Sequence, residues 1–176
     1  RCPYGLELRS CGIHCLESLE GILAKHGHEV AGVVVEPLLQ AAAGMLLLPD
    51  GWLRRVRELC DRHGTLLIVD EVATGFGRTG RMFACEHENV SPDLMAIAKG
   101  MTGGYLPLAA TLATEEIFSA FLAPTQASRQ LFHGHSYSGN ALGCAAALAN
   151  LEIFETEDVL GRVARTGARL ATRLEE

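Results

Sequence analysis

Thr65-Leu66-Leu67-Ile68-Val69-Asp70-Glu71 and, further on, Leu94-Met95-Ala96-Ile97-Ala98-Lys99 bound the stretch on which the reading of this chain turns. Both apolar runs are short and unbroken, the pattern of strands covered on both faces in a parallel sheet. Each ends on ionisable residues. Between them lies the glycine-rich loop Gly75-Phe76-Gly77-Arg78-Thr79-Gly80. Lys99 is one of only two lysines. An ammonium at the end of a buried strand is costly, because desolvation disfavours the charged form. Lys99 is therefore expected to be kept for covalent chemistry, with Asp70 on a neighbouring strand as its electrostatic counterpart.

Working outward, the valine-rich Val30–Glu36 predicts another buried strand, ended by Pro37, and Leu108–Ala113 a further one. Helical spacing recurs from about Cys15 to Lys25, and again after Asp50, the expected N-cap of a helix closed by Gly64. In that second helix Trp52, Leu53, Val56, Leu59 and Cys60 are expected to face inward. Residues 1–14 and 37–49 read as loops. Thr114 is expected to cap a helix to about Leu122, and Leu131–Tyr137 is a short apolar segment with histidines. The alanine-rich stretch Gly139–Glu155 predicts a long helix, and a last one starts near Thr156 with Val159, Val163 and Leu170 on one face. Unbroken strands separated by helices predict an α/β fold, a three-layer sandwich around a mostly parallel sheet. Ligands collect beyond the carboxyl ends of such strands, where Glu36, Asp70 and Lys99 all stand.

The 176 residues suffice for a sizeable core, and 48% apolar with 20% charged residues is ordinary for a soluble globular chain. A net charge of −6 offers no basic footprint for nucleic acid or an anionic membrane. No apolar run approaches the ~20 residues that span a bilayer. Nothing near Arg1 reads as a targeting segment, and the chain is expected to be a piece of a longer one. The six cysteines include no C-x-x-C pair. Cys11-Gly-Ile-His14-Cys15 lacks a second ligand pair at zinc-like spacing, so reduced thiols of a cytoplasmic protein are the expectation.

Three chemistries use a strand ending in acid. A P-loop nucleotide site needs G-x-x-x-x-G-K-[ST], and neither Lys25 nor Lys99 sits in one. Gly75-x-Gly77-x-x-Gly80 matches the dinucleotide fingerprint by letter, but that fingerprint opens a helix directly after its strand and has an acid ending the next. Here five residues separate the apolar run ending at Val69 from Gly75, Arg81–Pro92 shows no helical period, and the next strand ends in Lys99. Pyridoxal phosphate needs a lysine for its Schiff base, a carboxylate to keep its ring nitrogen protonated, and donors around its phosphate. Lys99 and Asp70 supply the first two. Gly134-His135-Ser136, just before a helix, supplies backbone N–H groups and a hydroxyl.

Val69-Asp70-Glu71-Val72-Ala73-Thr74-Gly75-Phe76-Gly77-Arg78-Thr79-Gly80, Ala98-Lys99-Gly100 and His133-Gly134-His135-Ser136-Tyr137-Ser138-Gly139-Asn140, in this order, resemble the class III (subgroup II) aminotransferases. The resemblance runs from about Leu16 to Leu151. It implies a type I pyridoxal-phosphate transferase large domain over 1–155, incomplete at its N-terminus, and the start of a C-terminal small domain over 156–176. It further implies that Lys99 holds the cofactor and shuttles a proton, that Asp70 binds the ring nitrogen and that Val72 packs against the ring. His135 and Ser136 would hold the phosphate, usually of the neighbouring subunit in a homodimer.

On the substrate side the resemblance places Gly134, Arg78 and Glu36. Glu36 and Arg78 have plainer alternatives, Glu36 capping a strand end and Arg78 paired with Asp93 or Glu86, and Tyr137 either packs or touches substrate. Ser136 stands where the family more often has threonine, which preserves the hydroxyl. Ala141 stands where proline commonly follows Gly-Asn, which is expected to loosen the start of that helix.

Overall fold

In a computed structural model that describes residues 11–124 and 127–175, the chain is built on a four-stranded sheet. Helix α1 (Leu16–His26) leads into β1 (Gly32–Val35). A small antiparallel hairpin, β2 (Leu39–Gln40) with β3 (Leu46–Leu47), precedes α2 (Trp52–His63). Then come β4 (Leu66–Asp70), β5 (Leu94–Ile97), β6 (Ala110–Ala113) and the short α3 (Glu115–Ala120). Two long helices follow, α4 (Ala141–Thr156) and α5 (Val159–Glu175).

The sheet order is β1-β4-β5-β6. β1, β4 and β5 run parallel, with Val35 opposite Val69 and Asp70 opposite Ala96. β6 returns antiparallel to β5. The mostly parallel α/β architecture is the one expected, and three carboxyl ends consequently share one edge of the sheet.

Side-chain alternation sorts the faces. Leu67 and Val69, with Val33 and Val35 beside them, pack into one cluster with Leu16 and Leu23 of α1 and Trp52, Leu53, Val56, Leu59 and Cys60 of α2. Val34 and Leu66 point to the opposite face and are exposed, so over β1 and β4 only one face carries helices among the described residues. α2 closes as expected at Gly64, whose φ of 64° suits glycine.

Its start differs from expectation. The N-cap is Gly51 at φ 82°, and Asp50 makes no capping bond. The acceptor comes from far along the chain instead: Glu88 Oε2 takes the Arg54 N–H at 2.8 Å, placing a carboxylate at the positive end of α2. The hairpin β2–β3 falls where the sequence predicted loop, because two-residue strands carry no period. The expected entry loop over residues 1–10 lies outside the described residues. Leu131–Tyr137 contains no regular element.

Candidate active site

Parallel pairing puts Glu36, Asp70 and Lys99 in a row along one edge, with Asp70 on the middle strand and neighbouring strands about 4.8 Å apart. Asp70 is half-buried on the face away from α1 and α2. Its Oδ1 accepts the Val72 N–H at 2.9 Å, and its Oδ2 has no protein partner among the described residues. Glu71 ties this end to the next strand, its N–H donating to Ala96 O at 2.9 Å.

Lys99 is the first residue of a 3-10 turn, Lys99–Thr102, at φ 44°. Contrary to the desolvation argument, it is exposed. β5 ends at Ile97, and the turn carries Lys99 out of the sheet before burial can act on it. It forms no ion pair among the described residues.

The turn opens on a cavity of about 1100 Å³ whose lining includes Val72, Lys99, His135, Tyr137 and Ser138. The segment Thr102–Leu108, on the way to β6, contributes most of another wall. Thr102 fixes that wall by donating its hydroxyl to Leu106 O at 2.5 Å. Of the expected site residues the structure thus gathers Lys99, Val72, His135 and Tyr137 around one space. Asp70, Ser136, Gly134, Arg78 and Glu36 do not line it.

The histidine segment folds on itself before α4. His135 N–H donates to Ser138 Oγ at 3.0 Å, Ser138 N–H to His135 O at 2.9 Å, and Tyr137 N–H to His135 Nδ1 at 3.1 Å. With Nδ1 accepting, neutral His135 carries its proton on Nε2 and presents a donor there. Ser136 is exposed, and neither its hydroxyl nor its N–H is bonded within the described residues. Asn140 caps α4, its Oδ1 accepting from Gly143 N at 3.0 Å. That start is held without the usual proline.

Glu36 and Arg78 lie in different surroundings. Glu36 Oε2 accepts the Ala41 N–H at 2.9 Å, holding the start of the turn between β2 and β3. Arg78 is exposed and pairs with neither expected acid. Asp93 is taken by Arg57 at 2.7 Å and by Leu67 N–H at 2.6 Å, and Glu86 accepts from Phe83 N at 2.9 Å.

Glu71 was not singled out by sequence, yet it is fully buried. Its carboxylate accepts the Thr74 hydroxyl and, at 2.8 Å, the Cys85 N–H. This folds the glycine loop back under the end of β4. Phe76 then packs so closely on Gly100 that a Cβ there would stand 2.7 Å from Phe76 Cβ. Burial first, and the Glu71 charge next to it, push the Cys85 thiol up to about 12.

The model of the family described as "Aminotransferase class-III" matches residues 3–176. The chain belongs to the class III aminotransferases. Among curated relatives of this class III chain, an adenosylmethionine-8-amino-7-oxononanoate aminotransferase of Nitratidesulfovibrio vulgaris is 58% identical over 99% of the chain, and one of Geobacter sulfurreducens is 55% identical over 93%. The chain spans about a third of the length of these relatives, 32% and 36%. Among solved structures, the enzyme of the same name from Methanocaldococcus jannaschii superposes with TM-score 0.81 at 48% identity, over 85% of this chain and 35% of that one. An amine transaminase from an uncultivated Pseudomonas species, solved in its PLP-bound form, gives 0.86 at 42% identity over 97% of this chain and 38% of that one.

Proposed function

We propose that these residues are the cofactor-binding core of a pyridoxal-phosphate-dependent transaminase. Its reaction would convert 8-amino-7-oxononanoate to 7,8-diaminononanoate in biotin biosynthesis, with S-adenosylmethionine as amino donor. The observation that carries the reading is the Lys99 side chain at the mouth of a cavity walled by Val72, with a half-buried carboxylate, Asp70, one strand away.

The donor set fits the cofactor. In this chain Asp70 retains an oxygen without a protein partner among the described residues for a protonated ring nitrogen and Val72 offers an apolar wall, while His135 and Ser136 offer donors suited to the phosphate of the neighbouring subunit's cofactor. When bound, pyridoxal phosphate supplies the electron sink that lets an amino group move between carbons. The chain's own contribution begins with Asp70, which stabilises the ring-nitrogen proton by charge. Lys99 Nζ takes a proton from the donor carbon and returns one to the acceptor, acting as base and then acid. Val72 holds the ring plane. Gly134, Arg78, Glu36 and Tyr137 belong to the substrate side.

The segment 133–138 serves the neighbouring subunit's phosphate in a two-fold homodimer. The solvent-exposed Tyr105, Phe132 and Leu142 support this, being large apolar residues that a second copy would cover. α5, which buries none of its side chains, begins the small domain, and residues 1–155 belong to the large one. The location is cytoplasmic, and neither nucleic acid nor membrane is a partner. No helix among the described residues is long and apolar enough to cross a membrane.

Incubation of the full-length protein with pyridoxal phosphate, borohydride reduction and peptide mapping test the reading. The expected label is on Lys99; a label elsewhere, or none, refutes it. Assay of that protein with 8-amino-7-oxononanoate and a panel of donors then distinguishes this reaction from that of an ω-aminotransferase using ornithine or 4-aminobutyrate. A second reading, that the 176 residues alone are non-catalytic, is favoured by the openness of the site to solvent. It predicts that the isolated chain stays colourless with the cofactor.

A further inference from the structure

The stripe of α4 that faces the rest of the protein runs through Gly143, Ala147, Asn150 and Phe154. Gly143 abuts Leu108, Ala147 is buried, and Phe154 lies edge-on to Phe76 with ring centroids 6.3 Å apart. Asn150 is the polar member, set in an otherwise alanine-rich stretch. Its Nδ2 donates to Gly100 O at 2.9 Å and to Met101 O at 3.2 Å. Its Oδ1 stands 3.2 Å from where a Cβ on Gly103 would lie. One side chain thus spans the whole turn that begins at Lys99.

That turn needs holding. Lys99 sits at φ 44°, in the left-handed region that a residue with a Cβ adopts only when its surroundings impose it. The turn's own bonds, Met101 N–H to Ala98 O and Gly103 N–H to Gly100 O, close over Lys99 without using its N–H. Phe76 on Gly100 limits the turn from one side. Asn150 fixes its carbonyls from another.

We propose that Asn150 is a positioning residue for Lys99: its amide holds the 3-10 turn whose first residue, Lys99, is left-handed and lines the cavity. The inference rests on the reading of Lys99 as the cofactor's attachment point. α4 is one rigid element, and Asn150 lies about 15 Å along its axis from the Asn140 cap. The helix therefore ties the lysine turn to the histidine segment that immediately precedes it. Neither end can shift without the other.

The test compares Asn150→Ala and Asn150→Asp in the full-length, cofactor-loaded protein. The aspartate keeps the volume of asparagine but turns acceptor oxygens toward two carbonyl oxygens, so it separates donation from space-filling and is the variant that preserves packing. For both variants the share of cofactor that borohydride fixes to Lys99 is expected to fall severalfold. The expected loss in kcat is about 10- to 100-fold, as for a reacting group misplaced by about an ångström, with KM little changed. Aspartate should be no better than alanine.

An Asn150→Asp protein that matches wild type, while alanine is impaired, overturns the proposal in favour of mere packing. Unchanged labelling and kcat in both variants overturn it outright. A wild-type protein unlabelled at Lys99 overturns the transaminase reading itself, an outcome visible before either variant is made.

Discussion

At the residue scale the instructive pair is Glu71 and Cys85. The fully buried Glu71 side chain has no cation beside it among the described residues and instead accepts two hydrogen bonds from the segment that follows it. Its neighbour, the Cys85 thiol, is driven up from 9.0 to about 12. A group more readily protonated when folded stabilises the fold fully below its unfolded value and loses that contribution as pH rises through the folded one. The expected outcome is an added fall in stability between pH 9 and about 12 that Cys85→Ala lacks. Urea unfolding followed by Trp52 fluorescence over that range measures it. Neither Glu71 nor Asn150 was legible in the sequence, where each is one polar letter in an ordinary context. Their roles come from partners 14 and 50 positions away.

At the scale of elements, Asp93 joins three at once. It accepts from Arg57 of α2, from the Leu67 N–H of β4, and stands directly before β5. Asp93→Ala leaves the Arg57 guanidinium with Asp61 as its remaining carboxylate and the Leu67 N–H without its acceptor, and a loss of about 1–3 kcal/mol is expected. Equilibrium denaturation, with an unchanged m-value, checks it.

What could be read beforehand at this scale was what period and composition encode. The strands at Asp70 and Lys99, α2 with its glycine stop, and the long alanine-rich α4 all fell within a few residues of expectation. The start of α2 did not, because Glu88 reaches it through space. The exposure of Lys99 did not either, because a turn one residue after β5 cancels the burial that the strand implies. At the site, Val72, Lys99, His135 and Tyr137 share one space, and Glu36 accepts a backbone N–H five positions on.

At the scale of the molecule, the apolar surface is uneven. Phe132 is 91% and Tyr105 87% exposed, apolar surface that the proposed homodimer would cover. Full-length protein is expected to sediment as a dimer, with Phe132→Asp shifting it toward monomer. Sedimentation equilibrium decides, and a wild-type monomer would contradict the shared-site arrangement.

The reversal of β6 against β5 leaves residues 98–109 as a hoop whose two feet are anchored by the ladder from Ile97–Ala110 to Leu94–Ala113. Lengthening or trimming the hoop's crown between Gly104 and Pro107 would resize the chamber while leaving the sheet's register untouched. In the proposed enzyme, acceptance of bulkier or slimmer molecules would thus be retuned there without moving Lys99 or Asp70.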